Sequence, residues 1–226
     1  MTHEVRVGLI DSGCTPAQLE RLAAARRFWL EDGELRSGEV LPDRLGHGTA
    51  LLDILQAQVA GAEVLIAQVF TERWAATPLQ VAAALDWLVA QGVQLVNLSL
   101  GLRHDRPALR EACGRALDAG VLLCASSPAR GEPVFPASYP GVIRVSGDAR
   151  CAAGQWSWLD SPQADFGAHV VAPCGMAGAS VACAALSGLI GAFLQDHPEA
   201  DREAVLTHLR RGAAFIGPER KGVSHG

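Results

Sequence analysis

The chain lacks the features that mark several large classes of protein. None of its six cysteines forms a CxxC pair or another zinc-like spacing, so a zinc ribbon or a thioredoxin-type motif is excluded. We expect six free, buried thiols in a reducing compartment, although a Cys151–Cys174 disulfide stays open. No run of Asp and Asn resembles a calcium loop. We therefore expect neither a metal nor a cofactor.

The sequence also lacks the signals for secretion, for nucleic-acid binding and for insertion in a membrane. Met1 leads directly into an apolar segment at Val5, with no basic region followed by an apolar one. We therefore expect no secretory signal or pro-segment, and a cytoplasmic location. The formal net charge of −5 leaves no basic footprint for nucleic acid. No apolar run reaches the length of a membrane span. Neither a nucleic acid nor a membrane is thus an expected partner.

What is present is an alternation of short apolar runs and helical stretches, which predicts an α/β fold. The runs are continuously apolar, as in strands buried on both faces of a parallel sheet. We predict a doubly wound, mostly parallel sheet with helices on both faces in three layers. The predicted strands are 5–10, 64–69, 93–98, 121–126, 141–146 and 168–172. The predicted helices are 16–27, 48–59, 78–91, 106–119, 179–194 and 200–211.

Domain organisation follows from the same pattern. There is no internal repeat and no linker, so residues 1–226 are predicted to form one domain with a core at about 5–211. Residues 31–46 and the proline-rich segment 127–140 are predicted loops. The tail 217–226 is predicted to be flexible.

Three polar residues lie beside glycine at the edges of apolar runs: Asp11, His47 and Ser180. Each has an ordinary alternative as a turn residue, a loop histidine or a helix N-cap. Together, in this order, they match the groups that activate a serine hydroxyl. An imidazole accepts the hydroxyl proton, and a carboxylate holds the imidazole in the required tautomer. We predict that Asp11 orients His47, which acts as general base and acid for Ser180.

These segments resemble the motifs of subtilisin-like serine peptidases, the subtilases. Asp11 matches the Asp motif, His47 lies in the Gly-His-Gly-Thr motif, and Ser180 lies where the family has Gly-Thr-Ser-Met-Ala. Three further segments also match the family pattern: Val96–Gly101, Tyr139–Val145 and Asp165–Pro173. The resemblance implies a substrate cleft lined by Ser99, Leu100, Gly101, Leu102, Ala125 and Ser126. Asn97 is interpreted as a buried structural residue, with a supporting role near the cleft as the alternative.

The surroundings of the predicted triad depart from the family pattern. Ala50 and Ala184-Ala185 stand where the family usually has other residues, and Leu102 replaces a glycine beside the substrate path. The family's oxyanion-hole Asn is also missing, and alignment places Ala129 or Ser127 at its position. The backbone N–H of Ser180 is predicted to remain as a donor. Loss of one such donor costs about 10²–10³ in kcat, a value measured in subtilisin.

The resemblance and these departures together predict a serine endopeptidase of restricted specificity. Its expected partners are a peptide or protein substrate and a protein that completes or regulates the cleft. Processing of a precursor peptide is one setting for such an enzyme. Two alternatives remain open: a catalytically weak subtilase fold used for binding or regulation, and a ligase or cyclase that uses the same acyl-enzyme.

Overall fold

A computed structural model describes residues 4–219, and a single mostly parallel sheet runs through this part of the chain. Seven neighbouring strands are parallel, in the order β9-β7-β6-β5-β1-β4-β2, while β3 is antiparallel to β2 and β8 is antiparallel to β9. β10 pairs with β8 at the far edge. The strands are β1 Arg6–Asp11, β2 Ala24–Glu31, β3 Glu34–Gly38, β4 Glu63–Gln68, β5 Leu95–Leu98, β6 Leu122–Ser126, β7 Ile143–Gly147, β8 Trp156–Trp158, β9 Phe166–Ala168 and β10 Phe215–Ile216.

Helices cover both faces of the sheet, which confirms the predicted fold class. One buried cluster joins α2, α5 and α6 to one face, and a second joins α3 and α4 to the other. Thr77 caps α3 with a capping box, and prolines occupy the first positions of α1, α3 and α4. The helices are α1 Pro16–Leu19, α2 His47–Gln58, α3 Pro78–Ala90, α4 Pro107–Asp118, α5 Ala179–Asp196 and α6 Arg202–Gly212.

The helix predicted over 16–27 is wrong beyond its first turn. Residues Ala24–Glu31 form β2, which pairs with β4 in parallel and with β3 in an antiparallel hairpin. Alanine and arginine favour a helix locally, but the sheet partners override that preference. The turn is Asp32-Gly33, with φ of 52° and 81°. An Asp-Gly pair is a recognised hairpin signal and would have identified this hairpin.

Two further predictions need correction. The predicted loop 31–46 contains β3, the outer strand of the hairpin. The strand predicted at 168–172 is instead Phe166–Ala168. It ends there because its neighbours β7 and β8 pair with it only as far as Ala168. Val171 makes one isolated bridge to Ala177 beyond that point.

α5 is long and apolar enough to span a membrane by length and composition, contrary to the expectation that no run would be. In this fold 61% of that helical window is buried, and the residues Val181–Leu186, Ile190 and Leu194 belong to the core. Its apolar character is therefore explained by its position against the sheet and α2.

The structure also describes the six cysteines and the start of the C-terminal tail. All six cysteines are free, five of them buried, whereas Cys174 is exposed. Within the predicted tail, the N–H of Gly217 donates to the carbonyl of Trp158. Residues 220–226 lie outside the described part of the chain.

Candidate active site

Asp11 and His47 form a close pair at the carboxyl end of the sheet. Asp11 is the last residue of β1 and is fully buried, and its Oδ1 lies 2.8 Å from His47 Nδ1. The same Oδ1 accepts the N–H of Ser12 at 2.7 Å. Oδ2 is buried and accepts no hydrogen bond from residues 4–219. The negative charge of the Asp11 carboxylate is therefore not neutralised by other donors at Oδ2, and it can stabilise His47 when the imidazole gains a proton.

The N-terminus of α2 holds His47 against the turn that follows Asp11. The N–H of Gly48 donates to Ser12 Oγ at 2.8 Å. A Cβ on Gly48 would lie 2.3 Å from the carbonyl oxygen of Gly13, so only glycine allows this contact. His47 is the first residue of α2, and its side chain is 12% exposed. One edge of its ring therefore remains open to the cleft.

Asp43 caps the same helix from outside it. Its Oδ2 accepts both the N–H and the hydroxyl of Thr49, at 2.9 and 2.8 Å. Its Oδ1 accepts the N–H groups of Leu45 and Gly46. Burial alone would raise the pKa of Asp43, but hydrogen bonds from Thr49, Gly46 and Ser12 lower it below its ordinary value. Asp43 thus fixes the loop and the first turn that carry His47.

Ser180 lies in the first turn of α5. This helix begins after Gly178, whose φ of 137° is available only to glycine, and no side chain caps its N-terminus. The first N–H groups of a helix have no partner within the helix, so this end can bind an anion. Ser180 Oγ donates to the carbonyl of Ser99 at 3.3 Å. In residues 4–219 no hydrogen bond joins Ser180 to His47, so the hydroxyl must turn from Ser99 to reach the imidazole.

His47 and Ser180 line one cavity of about 320 Å³. Its remaining walls are largely apolar and come from the β4–α3 loop, α3 and the segment after β5. The side chain of Trp74 lies edge-on to His47, with ring centroids 4.9 Å apart. A larger groove of about 810 Å³ lies beside α6 and contains neither His47 nor Ser180. The smaller cavity is the candidate cleft because it holds the reactive groups.

The structure brings together four of the six predicted substrate-binding residues. Ser99, Leu100, Gly101 and Leu102 line the cleft. Ala125 is fully buried, and neither it nor Ser126 lines this cavity. The backbone of Leu102 pairs in both directions with Phe135, at 2.7 and 2.9 Å. This pairing fixes the segment that would run beside a substrate.

The two residues considered for the missing oxyanion donor lie away from the cleft lining. The Ser127 hydroxyl donates to the carbonyl of Gln163 at 2.6 Å, and the residue is 4% exposed. Ala129 lines a separate cavity of about 490 Å³, together with Arg130 and Gly147. The backbone N–H groups in the uncapped first turn of α5, which contains Ser180, are therefore the donors that remain for the oxyanion.

Trp74 and Asp43 were not identified from the sequence. Trp74 lies in a loop between an apolar strand and a helix, and no spacing rule connects it with His47. Asp43 precedes His47 by four residues, and an Asp near a helix start is a common cap signal. A search of the loop before α2 for a side chain that could cap the helix would have identified Asp43.

Comparisons with known proteins show what this chain is similar to. The model of the Subtilase family matches residues 2–225. The major intracellular serine protease of Bacillus subtilis (strain 168) is 27% identical in an alignment of 161 positions that covers 62% of this chain and 50% of that protein. This chain spans half or less of the length of several curated relatives that it matches.

Two solved structures share the fold at low sequence identity. The S41 psychrophilic protease superposes with a TM-score of 0.71 and 18% identity, covering 93% of this chain and 83% of that one. The prenylagaramide maturation protease PagA superposes with a TM-score of 0.60 and 18% identity, covering 89% and 79%. At these identities the likeness establishes the fold.

Proposed function

Because the chain belongs to the subtilase family of serine proteases, we propose that it is an endopeptidase of restricted specificity that forms an acyl-enzyme on Ser180. The observation that carries the proposal is the Asp11–His47 pair, joined at 2.8 Å, with His47 and Ser180 facing the same cavity. A buried carboxylate, a partly open imidazole and a hydroxyl at a helix N-terminus are the groups that acyl transfer needs.

In the proposed mechanism, His47 Nε2 takes the proton of Ser180 Oγ as that oxygen attacks the carbonyl carbon of the substrate. Asp11 accepts the hydrogen bond from His47 Nδ1 and stabilises the imidazolium. His47 then gives its proton to the leaving amine, and a water molecule hydrolyses the acyl-enzyme by the reverse sequence. The negative oxygen of the tetrahedral intermediate is stabilised by N–H groups in the first turn of α5.

Restricted specificity is supported by the cleft. Its volume of about 320 Å³ and the walls formed by Phe70, Trp74 and Leu102 suit an apolar side chain of an extended peptide. We propose a peptide or protein substrate with an apolar residue close to the cleaved bond.

We further propose that the enzyme acts in the cytoplasm on a precursor peptide. The first part is supported by the similarity to the major intracellular serine protease of Bacillus subtilis. The second is supported by the shared fold with the prenylagaramide maturation protease. A partner protein that completes or regulates the cleft remains part of the proposal.

The first test is covalent labelling together with peptide cleavage. The unaltered protein should react with a fluorophosphonate probe at Ser180, and a peptide library should be cleaved beside apolar residues. The Ser180→Ala variant should show neither reaction while keeping its thermal stability, because the hydroxyl makes one weak hydrogen bond. Mass spectrometry of the labelled protein and of the products provides both readouts.

The outcomes separate the candidate functions. Absence of labelling on Ser180 would contradict the proposed enzyme and favour a binding or regulatory module. Labelling combined with products joined to an added amine would indicate a ligase or cyclase. Equal cleavage by the unaltered protein and by Ser180→Ala would assign the activity to a contaminant.

A further inference from the structure

A hydrogen-bonded chain of side chains runs behind the cleft from α5 through β5 to Ser180. Ser187 Oγ donates to Asn97 Oδ1 at 3.1 Å, and Asn97 Nδ2 donates to Ser99 Oγ at 2.9 Å. Ser99 Oγ then donates to the carbonyl oxygen of Ser180 at 3.2 Å. Asn97 and Ser187 are fully buried and do not line the cleft.

The direction of this chain follows from the number of protons that each group carries. A serine hydroxyl has one proton to donate. Because Asn97 donates to Ser99 Oγ, the Ser99 proton is directed to Ser180. Ser180 Oγ in turn donates to the carbonyl of Ser99. Asn97 therefore fixes the orientation of the Ser99 side chain, and Ser99 is linked to Ser180 twice, once through its hydroxyl and once through its backbone carbonyl.

A buried amide at this position needs a physical reason. Asn97 lies on β5 between Val96 and Leu98, both fully buried, and an apolar side chain would avoid the cost of desolvating an amide. Its hydrogen bonds lead toward the first turn of α5. We infer that Asn97 is a positioning residue that acts through Ser99 to hold the backbone of Ser180, and with it the nucleophilic hydroxyl. This inference rests on the proposed function.

Loss of Asn97 should slow the chemical step more than it weakens substrate binding. Without the amide, the Ser99 hydroxyl can rotate away from Ser180, and the turn that presents the nucleophile loses a restraint. Substrate contacts stay in place because Asn97 does not reach the cleft. A lost hydrogen bond of this kind corresponds to a rate change of about 3- to 10-fold.

The experiment compares Asn97→Leu with Ser157→Ala. Ser157 is fully buried on β8 and donates to Asp148 at 2.6 Å, so its loss also removes a buried hydrogen bond, but one outside the cleft. Both variants should unfold at a lower temperature. Asn97→Leu should react with the fluorophosphonate about 3- to 10-fold more slowly and lower kcat by the same factor, with KM within twofold. Ser157→Ala should leave both rates unchanged.

Two further variants keep the inference testable. If Asn97→Leu does not fold, Ser187→Ala removes only the hydrogen bond that anchors Asn97 and should slow labelling about twofold. Ser99→Ala combined with Asn97→Leu should lower kcat no further than Ser99→Ala alone, because Asn97 acts through Ser99.

Three results would overturn the inference. Labelling of Asn97→Leu at the rate of the unaltered protein would do so, as would a rise in KM at constant kcat or additive effects in the double variant. In each case, labelling of the unaltered protein at Ser180 would still support the proposed function. If the unaltered protein is not labelled at all, the proposed function fails and this inference fails with it.

Discussion

Trp74 forms part of the apolar wall of the cleft beside His47. Its side chain lies edge-on to His47 and close to Phe70, yet the residue is 60% exposed. The apolar surface of an exposed tryptophan stays in contact with water, which is unfavourable, until another group covers it. In the proposed enzyme, the apolar part of a bound peptide provides that cover.

We predict that Trp74→Ala lowers kcat/KM about 3- to 10-fold for peptides with an apolar residue near the cleaved bond, because an aromatic contact is lost. The loss should fall mainly on KM. Trp74→Phe, which keeps an aromatic ring, should recover most of it. Steady-state kinetics with paired apolar and polar peptides measure the effect. Equal losses for both kinds of peptide would contradict a role in specificity.

The predictability of single residues depended on their local context. Asp11, His47 and Ser180 were picked out from the sequence partly by their neighbouring glycines, and the structure uses the missing Cβ of Gly48 and the positive φ of Gly178. Trp74 was not, because its contact with His47 depends on how a loop folds over a helix start. The orientation of the Ser127 hydroxyl toward Gln163 depends equally on tertiary packing.

At the scale of secondary structure elements, the start of α2 depends on a residue outside the helix. Gly46, the N-cap residue, has no side chain to accept the first N–H groups. Asp43 instead accepts the N–H and the hydroxyl of Thr49 in the first turn, together with the N–H groups of Leu45 and Gly46 just before the helix. His47, which begins the helix, therefore depends for its position on an acidic loop residue.

We predict that Asp43→Asn lowers the free energy of unfolding by about 1 kcal/mol at pH 7, as expected for a weakened helix cap. The pKa of Asp43 is lower in the folded protein than in the unfolded chain. Its ionised form therefore adds stability above the unfolded pKa of about 3.9, and this stability is lost as pH falls through the lower folded pKa. The gap between the two proteins should close in acid.

Urea unfolding at pH 7 and at pH 3 and below measures this gap. Glu39→Gln is the matched control, because Glu39 is an exposed carboxylate in the same loop that makes no hydrogen bond within residues 4–219. It should change stability little at either pH. A gap between Asp43→Asn and the unaltered protein that stays constant down to the lowest pH would show that charge is not the source of the stabilisation.

Elements were predictable where local preference and tertiary partners agree. α3 and α4 begin at prolines and precede Gly92 and Gly120, whose φ values of 74° and 81° suit a helix end. The β2–β3 hairpin was missed because alanine and arginine there favour a helix when the sheet partners are not known. Short edge strands such as β10 have too few residues to show a period at all.

For the whole molecule, the distance between α2 and α5 controls the geometry of the proposed site, because one carries His47 and the other Ser180. The two helices pack in one buried cluster on the same face of the sheet. Gly188 of α5 packs tightly against α2: an added Cβ would be 2.6 Å from Gln58 Cβ and 3.0 Å from the Leu55 carbonyl oxygen. A larger residue at this position would collide with the Gln58 side chain and with the Leu55 backbone.

We predict that Gly188→Ala lowers the free energy of unfolding by about 1–3 kcal/mol, the usual cost of overpacking a core, because the two helices must separate. Separation also moves His47 from Ser180, so fluorophosphonate labelling should slow. Gly114→Ala is the control: Gly114 lies within α4, and a Cβ there meets nothing within 4 Å. That variant should gain up to about 1 kcal/mol from helix propensity and label normally. Normal labelling of a destabilised Gly188→Ala would show that the site tolerates a change in helix spacing.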